Sequence, residues 1–238
     1  MQIVISTFYK FINLPDFAAM KQPLLDFGIE HGLRGTILLA PEGINTSISG
    51  PRAEIDALYA ELRDRYSIEL NNIKESFSNE WPFKKMKLRL KKEIVRLDLP
   101  EVSGANAGHY VKPEQWDEFI ARDDVVVIDT RNDYEVEIGS FTGAINPMTS
   151  FFREFPRWFA EHKEEFKGKK IAMFCTGGVR CEKSTAFLKM QDIDEAYHLE
   201  GGILGYLEKF GQTTKSWHGD CFVFDDRIAV DLSLHRRP

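Results

Sequence analysis

Apolar and polar positions follow two different rhythms along this chain, and the change falls near residue 100. Ile3-Val4-Ile5-Ser6-Thr7-Phe8-Tyr9 reads as a strand. Residues 16–31 read as a helix that carries Phe17, Met20, Leu24, Leu25 and Phe27 at helical spacing. A strand is predicted at 35–40 and, after the Pro41-Glu42-Gly43 turn, a hairpin partner at 44–50. Residues 55–66 form a second predicted helix with Leu58 and Leu62 on one face. The stretch Lys85-Met86-Lys87-Leu88-Arg89-Leu90-Lys91 then alternates strictly. As a strand it buries Met86, Leu88 and Leu90 and lines up four cations on its other face. Strand, helix, strand, strand, helix, strand is the split βαβ order of a ferredoxin-like α+β domain, here assigned to residues 1–96.

Residues 97–112 contain Pro100, Ser103, Gly104 and Gly108 and show no apolar period, so they read as a linker. Beyond them helices and strands alternate. Helices are predicted at 113–122, 151–166, 181–190 and 203–210. Strands are predicted at Val125-Val126-Val127-Ile128, Ala144-Ile145-Asn146, Lys170-Ile171-Ala172-Met173-Phe174 and Ala196-Tyr197-His198-Leu199. That order predicts an α/β domain over 113–212 with a central parallel sheet, followed by an extension at 213–238. In such sheets reactive groups gather at the carboxyl ends of the strands.

Cys175 sits at such an end. It opens the loop Cys175-Thr176-Gly177-Gly178-Val179-Arg180, between a buried strand and a helix. Gly177 and Gly178 allow a tight turn with amides pointing inward, and Arg180 adds a positive charge. An ordinary thiol is only about 3% ionised at pH 7, whereas one lowered by about two units is mostly thiolate. The loop therefore predicts a reactive cysteine in an anion cradle. Cys181, at the helix start, is either a second thiol able to resolve an oxidised or persulfidic Cys175, or a packed core residue. Asp129 and Arg131 end the preceding strand and are candidates for contacting the loop or an anionic substrate, with a structural role equally open. Glu135 is similarly open. His109 and Tyr110 lie where the linker meets the second domain; His198 and Cys221 read as core residues.

Charge and composition narrow the classes. The 238 residues include three cysteines and a formal net charge of −6. An odd, low cysteine count predicts a reducing compartment rather than a disulfide framework, and no apolar run is long enough to span a membrane. A cytoplasmic, membrane-free protein is expected. No histidine–carboxylate cluster has metal-ligand spacing, so no metal is expected, and there is no phosphate-binding glycine motif. Against the acidic total, Lys84, Lys85, Lys87, Arg89, Lys91, Lys92 and Arg96 crowd one stretch with a single acid, Glu93. This is either an RNA-backbone contact or a sheet edge guarded by lysines.

Four segments in order, Asp129-Thr130-Arg131-Asn132-Asp133-Tyr134-Glu135, Gly143-Ala144-Ile145-Asn146-Pro147, the Cys175–Arg180 loop and Glu200-Gly201-Gly202, resemble a rhodanese domain. The resemblance implies a persulfide-carrying role for Cys175. It also implies that the amides of Thr176, Gly177, Gly178, Val179, Arg180 and Cys181 cradle sulfur and an anionic substrate. Arg34-Gly35-Thr36-Ile37-Leu38-Leu39-Ala40-Pro41-Glu42-Gly43-Ile44-Asn45, the continuation Cys181-Glu182-Lys183 and Phe222-Val223-Phe224-Asp225-Asp226-Arg227 are similar to one rhodanese-containing group, the oxygen-dependent tRNA uridine hydroxylases. That likeness spans nearly the whole chain. It implies hydroxylation of wobble uridine 34 to 5-hydroxyuridine, with molecular oxygen as co-substrate and the tRNA anticodon region as partner. Lys85, Lys87, Arg89 and Lys91 become the expected RNA contacts. Members of that group continue into a cysteine-rich tail where this sequence ends in His235-Arg236-Arg237-Pro238. The alternative is a persulfide-forming sulfurtransferase that takes sulfur from thiosulfate or a protein donor. A non-catalytic binding module is disfavoured by the intact cysteine loop.

Overall fold

The first unit is built on a five-stranded sheet, and its edges decide which surfaces stay open. The computed structural model describes residues 2–236. They divide into two units, residues 2–95 with 224–228, and 96–223 with 229–236. In the first, the order is β1 (Ile3–Phe11), α1 (Lys21–Glu30), β2 (Arg34–Ala40), β3 (Gly43–Gly50), α2 (Arg52–Tyr66), β4 (Lys74–Ser78) and β5 (Met86–Leu90). The strands lie in the order β4-β1-β3-β2-β5. Antiparallel β1, β3 and β4 pair with registers such as Phe8↔Thr46 and Ser6↔Glu75, while β5 runs parallel to β2, with Ile37 opposite Leu88. Val4, Phe8, Ile37, Leu39, Ile44 and Ile48 from the sheet close a core with Leu24 of α1 and Ile55, Leu58 and Leu62 of α2. Fully burying each such side chain contributes about 1.5–3 kcal/mol.

Three sequence expectations change here. The βαββαβ unit is completed by β4, and the basic strand is a fifth strand added at the far edge. Lys74-Glu75-Ser76-Phe77-Ser78 carries almost no hydrophobic alternation, because one side faces the polar Tyr59–Glu75–Arg52 group. Tyr59 donates to Glu75 at 2.8 Å, and Arg52 donates to it at 2.6 Å and 3.0 Å. Leu90, expected inside, is 37% exposed because it ends the edge strand. The first helix is also shorter than expected. Pro23 has no amide proton and fits only within the first turn, so α1 starts at Lys21 and residues 15–20 form turns.

The second unit carries β6 (His109–Val111), α3 (Pro113–Ile120), β7 (Val125–Asp129), α4 (Asp133–Val136), β8 (Gly139–Phe141), α5 (Phe155–His162), β9 (Lys170–Phe174), α6 (Val179–Met190), β10 (Ala196–Leu199) and α7 (Gly202–Phe210). After these come β11 (Trp217–Gly219), β12 (Cys221–Phe222) and β13 (Ala229–Val230). Its central sheet has the order β6-β10-β9-β7, with every neighbouring pair parallel. Ile171, Ala172, Met173 and Phe174 of β9 are all buried, as a central parallel strand requires. Trp116, Phe141, Phe174, Tyr206 and Trp217 form the aromatic part of the core on one side. Residues 144–146 make only an isolated parallel bridge, Ile128↔Ile145. The expected helix at 151–166 is α5 flanked by two 3₁₀ turns, again with its proline, Pro156, in the first α-helical turn. His109 and Tyr110, expected in a linker, form the edge strand β6. The mixed α/β architecture, a ferredoxin-like domain followed by a domain with a parallel sheet, is the one the sequence predicts.

Candidate active site

Strand β9 ends at Phe174, and the next residue is the buried Cys175. The chain then turns through Thr176-Gly177-Gly178 into α6. Gly178 has φ +100°, a backbone region that side chains disfavour, and serves as the residue before the helix. That turn brings its amide to the sulfur, with Gly178 N donating to Cys175 Sγ at 3.1 Å. Burial alone would raise the Cys175 thiol. A hydrogen bond from the Cys181 thiol, the Arg180 charge and the amides of Cys181 and Arg180 outweigh it, lowering the thiol from about 9 to about 5. Three amides of the α6 start therefore converge on one sulfur, where the helix dipole also favours negative charge. Cys181 moves the opposite way. Its own burial and the neighbouring Cys175 thiolate push it well above the usual thiol range, so it stays a neutral donor.

Arg180 is not free to meet a substrate alone. Its Nη1 and Nη2 donate to the Glu135 carboxylate at 2.6 Å and 2.8 Å, and Nη2 also reaches Thr176 Oγ1 at 3.3 Å. Thr176 Oγ1 donates in turn to Glu135 Oε1 at 3.3 Å. Both ends of the ion pair are buried. Burial would raise the Glu135 carboxyl, but Arg180 and the Asn132 amide hold it below the usual range. Glu135 is thus the partner that orients Arg180, joining α4 to the cysteine loop across 45 residues of sequence. No local pattern announces such a pairing.

Asp129 and Arg131 are both fully buried and engage each other. Arg131 Nε donates to Asp129 Oδ1 at 2.9 Å and Nη2 to Oδ2 at 2.6 Å. The remaining Arg131 donors go to the carbonyls of Glu135 and Gly139, and Ser140 Oγ donates to Asp129 at 2.9 Å. The pair braces the segment that carries Glu135, and its polar atoms are spent on protein partners. Gly177 and Val179 are the half-buried members of the loop. A methyl group placed on Gly177 would meet nothing within 4 Å, so the loop is open on that side.

Other candidates lie in different surroundings. Cys221 is buried and pushed up to about 12, with burial the main cause. His198 is buried and drops to about 4 through desolvation. His109 and Tyr110 are exposed on β6, and Tyr110 donates to Glu182 Oε2 at 2.7 Å. Among the described residues no three His, Cys, Asp or Glu side chains gather as a metal-binding group. None of the helices is long and apolar enough to cross a membrane, again among the described residues.

In the first unit, Lys87 and Arg89 project from β5 opposite the buried Met86 and Leu88, and Lys85 and Lys91 flank the strand. Lys84, Lys85, Lys87, Arg89, Lys91 and Lys92 are all exposed. Among the described residues none of these six side chains forms an ion pair, whereas Arg52, Arg63 and Arg65 of α2 are each paired with an acid. Nearby, the Arg34 guanidinium lies over the Trp81 ring at 4.1 Å.

Family models match both units. Residues 3–94 match the UPF0176 acylphosphatase-like domain, and residues 112–209 match the rhodanese-like domain. The chain joins an acylphosphatase-like domain to a rhodanese domain. Among solved structures, an acylphosphatase from Coxiella burnetii is 14% identical over 37% of this chain and 93% of its own, with a TM-score of 0.29. A rhodanese-related protein from Thermoplasma volcanium is 24% identical over 42% of this chain and 92% of its own, with a TM-score of 0.31. Full-length HypF in its phosphate- and nucleotide-bound form is 12% identical; the match covers 37% of this chain and 12% of HypF, with a TM-score of 0.30. Cys175 and its amide-lined loop lie within the stretch that matches the rhodanese-like domain, at the carboxyl end of β9.

Two outcomes follow from this site. Titrated by the ultraviolet absorbance of thiolate, the protein should show a single ionisation centred near pH 5, protonated below and anionic above. That signal should vanish in Cys175→Ser and survive in Cys221→Ser; a midpoint above pH 8 would refute the assignment. Asp129→Ala leaves Arg131 buried without its counter-ion and should cost about 3–5 kcal/mol in denaturant unfolding.

Proposed function

We propose that this protein is a tRNA-modifying enzyme that hydroxylates uridine 34 at C5, with Cys175 as its reactive thiolate and molecular oxygen as co-substrate. The observation that carries the reading is the pairing, in one chain, of a thiolate-stabilising loop with a strand of unpaired cations. The likeness of the whole sequence to the oxygen-dependent tRNA uridine hydroxylases supports the same substrate. A thiolate suits the pyrimidine ring. Its addition to C6 forms an S–C6 bond and moves an electron pair toward C5, the carbon that receives oxygen, and loss of the thiolate later restores the ring. One oxygen atom of O₂ enters the base and the other leaves as water, which consumes two electrons and two protons. Once the Cys175 thiolate has left the ring, its oxidation with the neighbouring Cys181 thiol to a disulfide supplies both electrons and one proton, and solvent supplies the second proton. The enzyme would act in the cytoplasm, where reductants restore the pair.

The β5 cations would hold the anticodon arm through its phosphates, sequence-independently and in a salt-dependent way. Lys85, Lys87, Arg89 and Lys91 are the proposed contacts, with Arg34 and Trp81 beside them. A second reading, persulfide sulfur transfer by Cys175, is favoured by one observation. The amides of Gly178, Arg180 and Cys181 suit a terminal persulfide sulfur as well as a thiolate.

Nucleoside mass spectrometry of tRNA separates these readings. Cells with Cys175→Ser should lose 5-hydroxyuridine; unchanged 5-hydroxyuridine, with sulfur transfer from thiosulfate abolished, would establish the transferase instead. Replacing Lys87, Arg89 and Lys91 together by glutamine should weaken tRNA binding and reduce the slope of log K against log salt by about 2–3. An unchanged slope would leave β5 as a guarded sheet edge.

A further inference from the structure

The pair Gly201-Gly202 stands out in the sequence and has no part in the chemistry described so far. The structure brings it directly against the cysteine loop. Both glycines take left-handed backbone conformations, with φ +77° and +64°. This double turn sends the chain from β10 back into α7, so that the first turn of α7 abuts the loop from behind. Ile203 N donates to the Cys175 carbonyl at 2.9 Å, and Leu204 N donates to the Thr176 carbonyl at 3.0 Å. There is no room for a side chain at the contact. A methyl group on Gly202 would lie 2.5 Å from the Cys175 carbonyl oxygen, 2.7 Å from the Gly178 nitrogen and 2.8 Å from the Thr176 carbonyl oxygen. All three are backbone atoms and cannot swing aside.

These contacts fix orientation. A trans peptide group points its C=O and the following N–H in opposite directions. Holding the Cys175 and Thr176 carbonyls toward α7 therefore turns the amides of Thr176 and Gly177 away from it. It also sets the plane of the turn that delivers the Gly178 amide to the sulfur. We propose that Gly202 and the first turn of α7 form a positioning clamp that holds the turn in which the Gly178 amide reaches Cys175 Sγ. Gly202 touches no reacting atom; it acts through the loop backbone. The clamp concerns the state of the sulfur and holds whichever substrate the sulfur meets.

The test is the pH titration of the Cys175 thiolate in the full-length protein. Cys181 and Cys221 ionise far above neutrality, so the absorbance below pH 7 belongs to Cys175. Gly202→Ala displaces the loop carbonyls and should move the midpoint upward by about one unit. Gly143→Ala is the control. Gly143 has φ +74° with nothing within 4 Å of an added methyl group, so it carries comparable backbone strain without a clash. Its midpoint should stay at the wild-type value. A folded Gly202→Ala protein with an unmoved midpoint, or an equal shift in Gly143→Ala, would overturn the clamp. Should Gly202→Ala not fold, hydrogen exchange decides the matter. Coupling is reciprocal, so a clamp that lowers the thiol by one unit is itself held about tenfold more firmly by the thiolate. In Cys175→Ser at pH 7 the Ile203 and Leu204 amides should exchange about tenfold faster, with the α3 amides unchanged. Equal exchange of the α7 amides in the two proteins would refute the proposal. Because no readout involves RNA or sulfur donors, its failure leaves the assignment of the substrate untouched.

Discussion

A negative charge on Cys175 has to be held in a buried place, and the two buried ion pairs around it already cancel among themselves. Arg180 faces Glu135, and Arg131 faces Asp129, both as close buried pairs. Each arginine is therefore answered by its own carboxylate, which leaves the thiolate without a cation to itself. Desolvation works against it strongly. What remains to offset that penalty is the set of backbone amides at the start of α6, the neutral Cys181 thiol and the residual field of Arg180. Amides suit this task because they are fixed dipoles that cost no reorganisation when charge appears.

The two ion pairs are better understood as braces than as a source of stability. A buried pair roughly breaks even against an apolar replacement, whereas removing one partner is expensive. Their effect here is geometric. Arg131 ties Asp129 to the carbonyls of Glu135 and Gly139, which holds α4 in place. Glu135 then holds Arg180 and Thr176, and so the two sides of the cysteine loop. A chain of satisfied polar groups thus runs from the end of β7 to the end of β9, strands that lie side by side in the sheet.

Much of the fold is legible in the residues. Lys170-Ile171-Ala172-Met173-Phe174 announces a doubly covered strand by its unbroken apolar run, and the paired glycines after Cys175 announce the turn. Met86 and Leu88 alternate with cations as a half-buried strand must. What escapes is what depends on distant partners. Lys74–Ser78 forms β4 although four of its five side chains are polar, because Tyr59 and Arg52 of α2 satisfy Glu75. The apolar spacing predicts helices at 16–31 and 151–166 that run through Pro23 and Pro156, whose missing amides limit where α1 and α5 begin. At the site, Cys175 and its loop were legible from local sequence, whereas the role of Glu135 was not. The place of Asp129 and Arg131 at a strand end leaves contact with the loop or an anionic substrate and a structural role equally open, and only the tertiary structure shows their polar atoms already engaged.

The same bookkeeping of partners distinguishes the two units. Around Cys175 nearly every charged group is matched, and reactivity comes from amides that act without net charge. On β5 the opposite holds. Six exposed cations stand within nine residues and none forms an ion pair among the described residues, although the protein as a whole is acidic. Lysines blunt an exposed edge strand, and a run of like charges also repels itself. Uncompensated cations are useful where a polyanion supplies the missing charge and releases its own counter-ions on binding. The proposed substrate, with its negative charge on a backbone and its reactive atom on an uncharged base, would ask for both halves of this arrangement: a site that stabilises an anion through amides, and in the same chain a strand whose exposed cations form no ion pair among the described residues.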